Sequence, residues 1–166
     1  MRVSKEMFEK VVDLYFLWKQ LNMGMKDLGP RGVNFPDAIS EIMVCYAMGF
    51  EWNRESSGDA TDKNGRLVEI KATSNYDSDL SSFSPNTSFS ALYFLRLDRD
   101  ADVAEIYDMN MDFRSFQKLR VNQKESVEVQ QKSGRRPRLS LIKVIEREGI
   151  KPKCRIDIEA KSVDLR

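Results

Sequence analysis

Asn64-Gly65 separates two arms of β-prone sequence, and a chain with that punctuation has few folds open to it. Both residues tolerate the positive φ of a tight turn, so the flanking arms are expected to pair as an antiparallel hairpin. The second arm, Leu67-Val68-Glu69-Ile70-Lys71, sets two charges at i and i+2, where a strand projects them from one face. Register decides what the first arm adds. A two-residue loop of Asn64-Gly65 would pair Asp59 with Ile70 and turn the aspartate to the opposite face. A three-residue loop over 63–65 pairs Asp62 with Arg66, and therefore Asp59 with Glu69. The second register is expected, because it puts Gly65 at the left-handed position that such a loop favours.

In that register two carboxylates face each other, with an ammonium one step along. Carboxylate oxygens with room for water suit Mg²⁺, which prefers a few hard oxygen ligands together with a substrate phosphate. A lysine beside the metal orients or deprotonates the attacking water and steadies charge on the phosphorane. The bland reading of Asp-x9-Glu-x-Lys is a solvated edge hairpin carrying a salt-bridge ladder. Composition narrows the chemistry further. The chain contains no histidine, which removes Ser-His and Cys-His catalysis, His-ligated zinc and the nucleases that use histidine as base. A phosphodiesterase built from carboxylates and a lysine passes that filter.

The run from Asn53 through Gly65, followed by Val68-Glu69-Ile70-Lys71, resembles the active-site hairpin of PD-(D/E)xK nucleases. It is similar to that of PvuII-type restriction endonucleases, which share the Asp-Ala-x-Asp-x-x-Gly run and the spacing to Glu-x-Lys. Ser57-Gly58 stands where the motif has its Pro. Across its length the chain also looks like the Bsp-six-I family, whose members cut GCNGC. The resemblance implies an α/β, restriction-endonuclease-like core with a mixed central sheet flanked by helices. It implies Asp59 and Glu69 as metal ligands, the Ile70 carbonyl as a third, and Lys71 as the residue that positions water. The first core helix of such nucleases often supplies a further acid, and Glu41 is the candidate. The alternative for Glu41 is an exposed first-turn glutamate that answers the helix dipole.

A chain of 166 residues fits one nuclease domain over 1–166. No apolar run approaches the ~18 residues of a membrane span and no signal-peptide core is visible, so a cytoplasmic protein is expected. Cys45 and Cys154 read as reduced structural thiols. The net charge of +1 hides an asymmetry. Residues 1–113 hold 12 basic and 19 acidic residues, net −7, whereas 114–155 hold 13 basic and 4 acidic, net +9. Such a basic segment is the footprint of a polyanion-binding face, or else a solvated lysine-rich surface.

Ser4 is placed to cap a helix over 5–22, whose apolar face includes Phe8, Val11, Val12, Tyr15, Leu17, Trp18 and Leu21. That face is wide enough to serve a dimer as well as the core. Residues 24–36 read as a connection and 37–48 as a second helix ending at Gly49. Residues 72–90 form a long polar loop. By the PvuII likeness it lies along DNA, with Asn75, Asn86, Thr87 and Ser88 as candidate contacts; otherwise it is a surface loop. Strands are expected at 91–97, 103–108, 126–130 and 151–158, and helices at 112–120 and 139–148. Arg135, Arg136 and Arg138 precede the last helix, where guanidinium forks suit guanine edges or phosphates and the helix N-terminus suits phosphate.

The function expected is that of a type II restriction endonuclease: Mg²⁺-dependent hydrolysis of double-stranded DNA at a short palindromic site. A homodimer matches the two-fold symmetry of such a site, and a DNA methyltransferase is the expected genetic partner. A structure-specific nuclease such as a junction resolvase, or a non-catalytic DNA-binding module, stays open on residues alone.

Overall fold

Ser4 accepts a hydrogen bond from the Met7 amide and starts α1 (Lys5–Leu28), in a computed structural model that describes residues 1–54 and 58–166. Ser57, at the Pro position of the motif, lies outside the described residues. The helix runs a turn and a half past the expected end at residue 22. Gly24 does not stop it, because one glycine in a helix costs only about 1 kcal/mol and Trp18 and Asn22 fix its second half to the chain that follows. The connection to α2 (Asp37–Met48) therefore covers 29–36 rather than 24–36. Gly49, at φ 69°, caps α2 as expected.

The described residues then give β1 (Glu51–Trp52), β2 (Ala60–Thr61), β3 (Leu67–Thr73), β4 (Ser81–Ser82), β5 (Ala91–Asp98) and β6 (Val103–Asp108). After them come α3 (Phe113–Gln117), α4 (Val127–Lys132), β7 (Arg138–Leu139), α5 (Leu141–Glu148), β8 (Cys154–Asp157) and β9 (Ser162–Leu165). Among the described residues seven strands make one mixed sheet in the order β1-β2-β3-β5-β6-β8-β9, in which β3 and β5 run parallel and the other neighbours antiparallel. β4 and β7 form a separate two-stranded ribbon.

Alternation along the strands separates two cores. Val68, Ile70, Tyr93, Leu95, Leu97, Ala104, Ile106, Cys154 and Ile156 pack with Phe8, Val12, Tyr15, Ile42 and Met43 of α1 and α2. From the other face Leu92, Phe94 and Tyr107 meet Phe83, Phe116, Val127, Leu141 and Ile145. Each fully buried side chain of this size contributes about 1.5–3 kcal/mol. Both cysteines are free and buried.

Two expectations for the C-terminal half fail for physical reasons. The segment expected as a strand over 126–130 is α4: the Ser126 hydroxyl accepts from the Val129 amide, and Val127, Gln130 and Gln131 bury one helical face. Leu139 belongs to β7 instead of the last helix, which begins only at Leu141 after its cap Ser140. The polar loop over 72–90 is likewise less open than expected. Thr73 still belongs to β3, Ser81 and Ser82 pair with Leu139 and Arg138, and Phe83 and Phe89 are buried.

Candidate active site

The hairpin closes in the three-residue register. Ala60 pairs with Val68 and Thr61 with Leu67, and the Asp59 amide donates to the Val68 carbonyl at 3.0 Å, so Asp59 steps out of the expected pairing with Glu69 but stays beside it. The Asp62 carboxylate accepts from the amides of Asn64 and Arg66 at 2.8 and 2.9 Å and from Arg66 Nε, which locks the loop, while Gly65 takes φ 75°. Gly65 supplies a backbone conformation that an L side chain rarely adopts.

Around that register the charges gather. Asp59 Oδ2 accepts from the Ile70 amide at 2.7 Å. Lys71 Nζ sits 2.8 Å from Glu69 Oε1, and the other oxygen, Oε2, accepts from the Thr87 hydroxyl at 3.3 Å. Phe83 lies under the ammonium, its ring centroid 5.2 Å from Nζ. Glu41 comes from α2 and accepts a 2.7 Å hydrogen bond from Trp52 Nε1. Glu69 is buried, at 8% exposure, while Asp59, Glu41 and Lys71 are half-buried. Glu41, Asp59, Ile70 and Lys71 line one open cleft of about 820 Å³, together with Asn75.

Burial pushes the Asp59 carboxyl up to about 7, with repulsion from Glu69 and Glu41 adding to the effect and the Ile70 amide and Lys71 opposing it. Glu41 is also raised, chiefly by burial, against the lowering effect of the Trp52 hydrogen bond. Carboxylates this reluctant to ionise together are the arrangement that a cation relieves. Among the described residues, no group of three or more His, Cys, Asp or Glu side chains is gathered as a ready-made metal cage. The neighbouring Asp59 and Glu69 carboxylates still offer the hard oxygen donors that suit a divalent cation keeping several of its waters.

The other sequence candidates separate. Thr87 meets Glu69, Asn75 donates its side-chain amide to the Ser78 hydroxyl at the cleft wall, and Asn86 and Ser88 are exposed outside the cleft lining. The three arginines do not act as a cluster. Arg135 forks onto Glu125, whose carboxyl falls to about 2 under that contact and the amides of Gln130 and Asn122. Arg136 lines the carboxylate cleft, whereas Arg138 lines a different depression beside α5. The phosphate site expected at the N-terminus of α5 is already filled from within. The Asp79 carboxylate accepts from the amides of Leu141 and Ile142 at 2.8 and 3.2 Å and from the Ser140 hydroxyl. Sequence reasoning missed Thr87 as a carboxylate partner and Asp79 as a cap, since both act across long loops with no local pattern.

A mixed sheet with helices on both faces, carrying Asp59 beside Glu69-x-Lys71 at its hairpin, defines a restriction-endonuclease-like protein. A family model described as Bsp6I restriction endonuclease matches residues 3–147. A curated relative, the type II restriction enzyme Bsp6I from Bacillus sp. (strain RFL6), is 44% identical over 164 residues, covering 98% of this chain and 94% of the relative. The chain belongs to the Bsp6I restriction endonuclease family, and with that membership it is a type II restriction endonuclease. The resolvase and non-catalytic alternatives fall away.

Proposed function

We propose that the hairpin cleft hydrolyses a phosphodiester of double-stranded DNA with Mg²⁺ held by Asp59, Glu69 and the Ile70 carbonyl. A restriction enzyme acts on double-stranded DNA, and type II enzymes generally need a divalent metal. The observation that carries the assignment is the hairpin that sets the Asp59 carboxylate on the Ile70 amide at 2.7 Å, between Glu69 and Lys71, with Lys71 2.8 Å from the glutamate. When bound, the ion would polarise the scissile phosphate and acidify a nearby water. Lys71 Nζ orients that water by hydrogen bonding and screens charge on the pentacovalent phosphorus. Thr87 holds Glu69 in its rotamer through Oε2, and Glu41, kept in place by Trp52, supports the site from the α2 side. The water oxygen bonds to phosphorus and gives up its proton to solvent, while the P–O bond on the far side breaks and the departing alkoxide takes a proton from solvent.

A short site such as GCNGC, two-fold symmetric in its outer bases, calls for two active sites related by a two-fold axis. The surface that supports a homodimer is α1. Leu14, Leu17, Leu21, Met25 and Leu28 recur at three- and four-residue spacing and are 43, 61, 55, 41 and 85% exposed. A stripe of that period matches the same stripe on a second copy. Within this proposal residues 1–166 work as one nuclease domain in the cytoplasm, paired genetically with a methyltransferase that protects host DNA. Asn86, Ser88, Asn75 and Arg138 stay candidate DNA contacts.

Replacing Asp59 or Glu69 by Ala should abolish Mg²⁺-dependent cleavage of plasmid DNA while leaving most of the DNA affinity, since only the metal is lost. Full cleavage by either variant would remove the assignment. Lys71→Ala should lower the cleavage rate far more than binding, because its partners are water and the transition state.

A further inference from the structure

Four cations stand around the carboxylate cleft with no role in the chemistry above. Lys26 comes from the last turn of α1, Arg31 from the 29–36 connection, Arg99 from the β5–β6 turn and Arg136 from the segment before β7. Among the described residues none of the four forms a salt bridge, whereas Lys19, Arg66, Lys71 and Arg135 each pair with a carboxylate. A single unpaired surface cation is ordinary. Four converging from separate elements on a cleft that also contains Glu41 and Asp59, without closing onto those acids, leave their charge free for a ligand.

Two of the four are carried on segments that α1 holds in place. Trp18 Nε1 donates to the carbonyls of Val33 and Asn34 at 3.1 and 2.9 Å, and the Val33 amide donates to Asn22 Oδ1 at 2.8 Å. Asn22 is buried at 4% exposure, and a Cβ on Gly32 would collide with its Oδ1, so a side chain there has to push Asn22 off the Val33 amide that anchors the strap carrying Arg31. On the neighbouring turn, Asp102 accepts from Tyr15 Oη and Lys19 Nζ, each at 2.6 Å, which ties the turn bearing Arg99 to the same helix. Fixed cations beside a metal-type carboxylate site suit a polyanion whose charges repeat along its length, and the backbone of duplex DNA has that form.

We infer that Lys26, Arg31, Arg99 and Arg136 form a rim that grips DNA phosphates on either side of the scissile bond, with Asn22 and Gly32 as positioning residues for Arg31. The inference rests on the cleft being the active site. It also moves the phosphate grip: three of the four cations come from the net-acidic first 113 residues, not from the basic segment.

The test is fluorescence anisotropy of a labelled random-sequence duplex at several salt concentrations, without divalent metal. Arg31→Ala and Arg99→Ala should each lower the slope of log K against log salt by about 1. Gly32→Ala should reproduce the Arg31→Ala slope and add nothing to it in the double variant, which a loss of stability alone would not do. Lys161→Ala, at a cation that pairs with Asp13 and does not line the cleft, should leave the slope unchanged. Wild-type slopes in both arginine variants would overturn the rim, as would an equal fall in Lys161→Ala. Asp59→Ala run alongside keeps the two readings apart. If it loses cleavage while the rim variants keep their slopes, only the rim fails; if it cleaves fully, the active-site reading fails first.

Discussion

Asp59→Asn should make the metal-free protein more stable at alkaline pH and flatten its stability profile. The folded carboxyl titrates at about 7, against 3.8 when unshifted, because it is buried and faces Glu69. Between those two values the folded state holds a proton that the unfolded chain has released. The stability this contributes is complete below pH 3.8 and disappears as pH rises through about 7. At about 1.4 kcal/mol per pH unit the window is worth at most about 4 kcal/mol, and water reaching the half-open cleft brings it to about 2–4 kcal/mol. Asparagine presents an oxygen to the Ile70 amide as aspartate does but never ionises. Urea unfolding in EDTA at pH 4.5 and pH 8.5 measures this directly. The wild type should lose stability from this group between the two pH values, and the variant should lose about 2–4 kcal/mol less. Parallel pH profiles for the two proteins would refute the idea that Asp59 is held against its own charge.

Other consequences are as easily measured. Asp79→Ala leaves two helix-end amides and the Ser140 hydroxyl without their acceptor, so it should cost about 1–3 kcal/mol in urea unfolding. Leu17→Lys combined with Leu21→Lys should give a monomer by analytical ultracentrifugation with an unchanged circular dichroism spectrum, since both side chains point outward. Arg135→Ala should alter DNA affinity less than Arg136→Ala in the same anisotropy assay, because Arg135 is already committed to Glu125. A larger effect at Arg135 would mean that DNA displaces the glutamate.

The hairpin was legible because its determinants are adjacent: Gly65, Asp62 and the arm from Leu67 to Lys71 act within a dozen residues. The second helix and the strands expected at 91–97 and 103–108 were legible from apolar period and turn residues, whereas for the first helix only the start and the apolar face were, because it runs through Gly24 to Leu28. What stayed hidden depends on contacts between distant segments. Val127-Glu128-Val129 alternates like a strand, yet Ser126 caps it and buried Gln130 and Gln131 make it a helix. The arginine run looked like a single feature, but β7 pairing with β4 and the Glu125 contact send its three members to different surfaces. Net charge by segment also hides detail, since three of the four cleft cations come from α1, its connection and a β-turn in the acidic part of the chain and only Arg136 comes from the basic segment. Charge counts sum over a segment, while a binding face is assembled from a few side chains that lack partners.

Asp79 sits in the polar stretch after β3, but its carboxylate completes a helix that begins some sixty residues later, and the β4–β7 ribbon stitches the same two regions together. Residues 74–90 are thus not a module that can be exchanged between relatives by themselves. Transplanted alone, the segment would arrive without its β7 partner and would deprive the recipient's last helix of whatever carboxylate capped it. Evolution, or an engineer exchanging this segment, would have to move the ribbon and the start of α5 with it, so that a change here comes as a linked pair of distant changes.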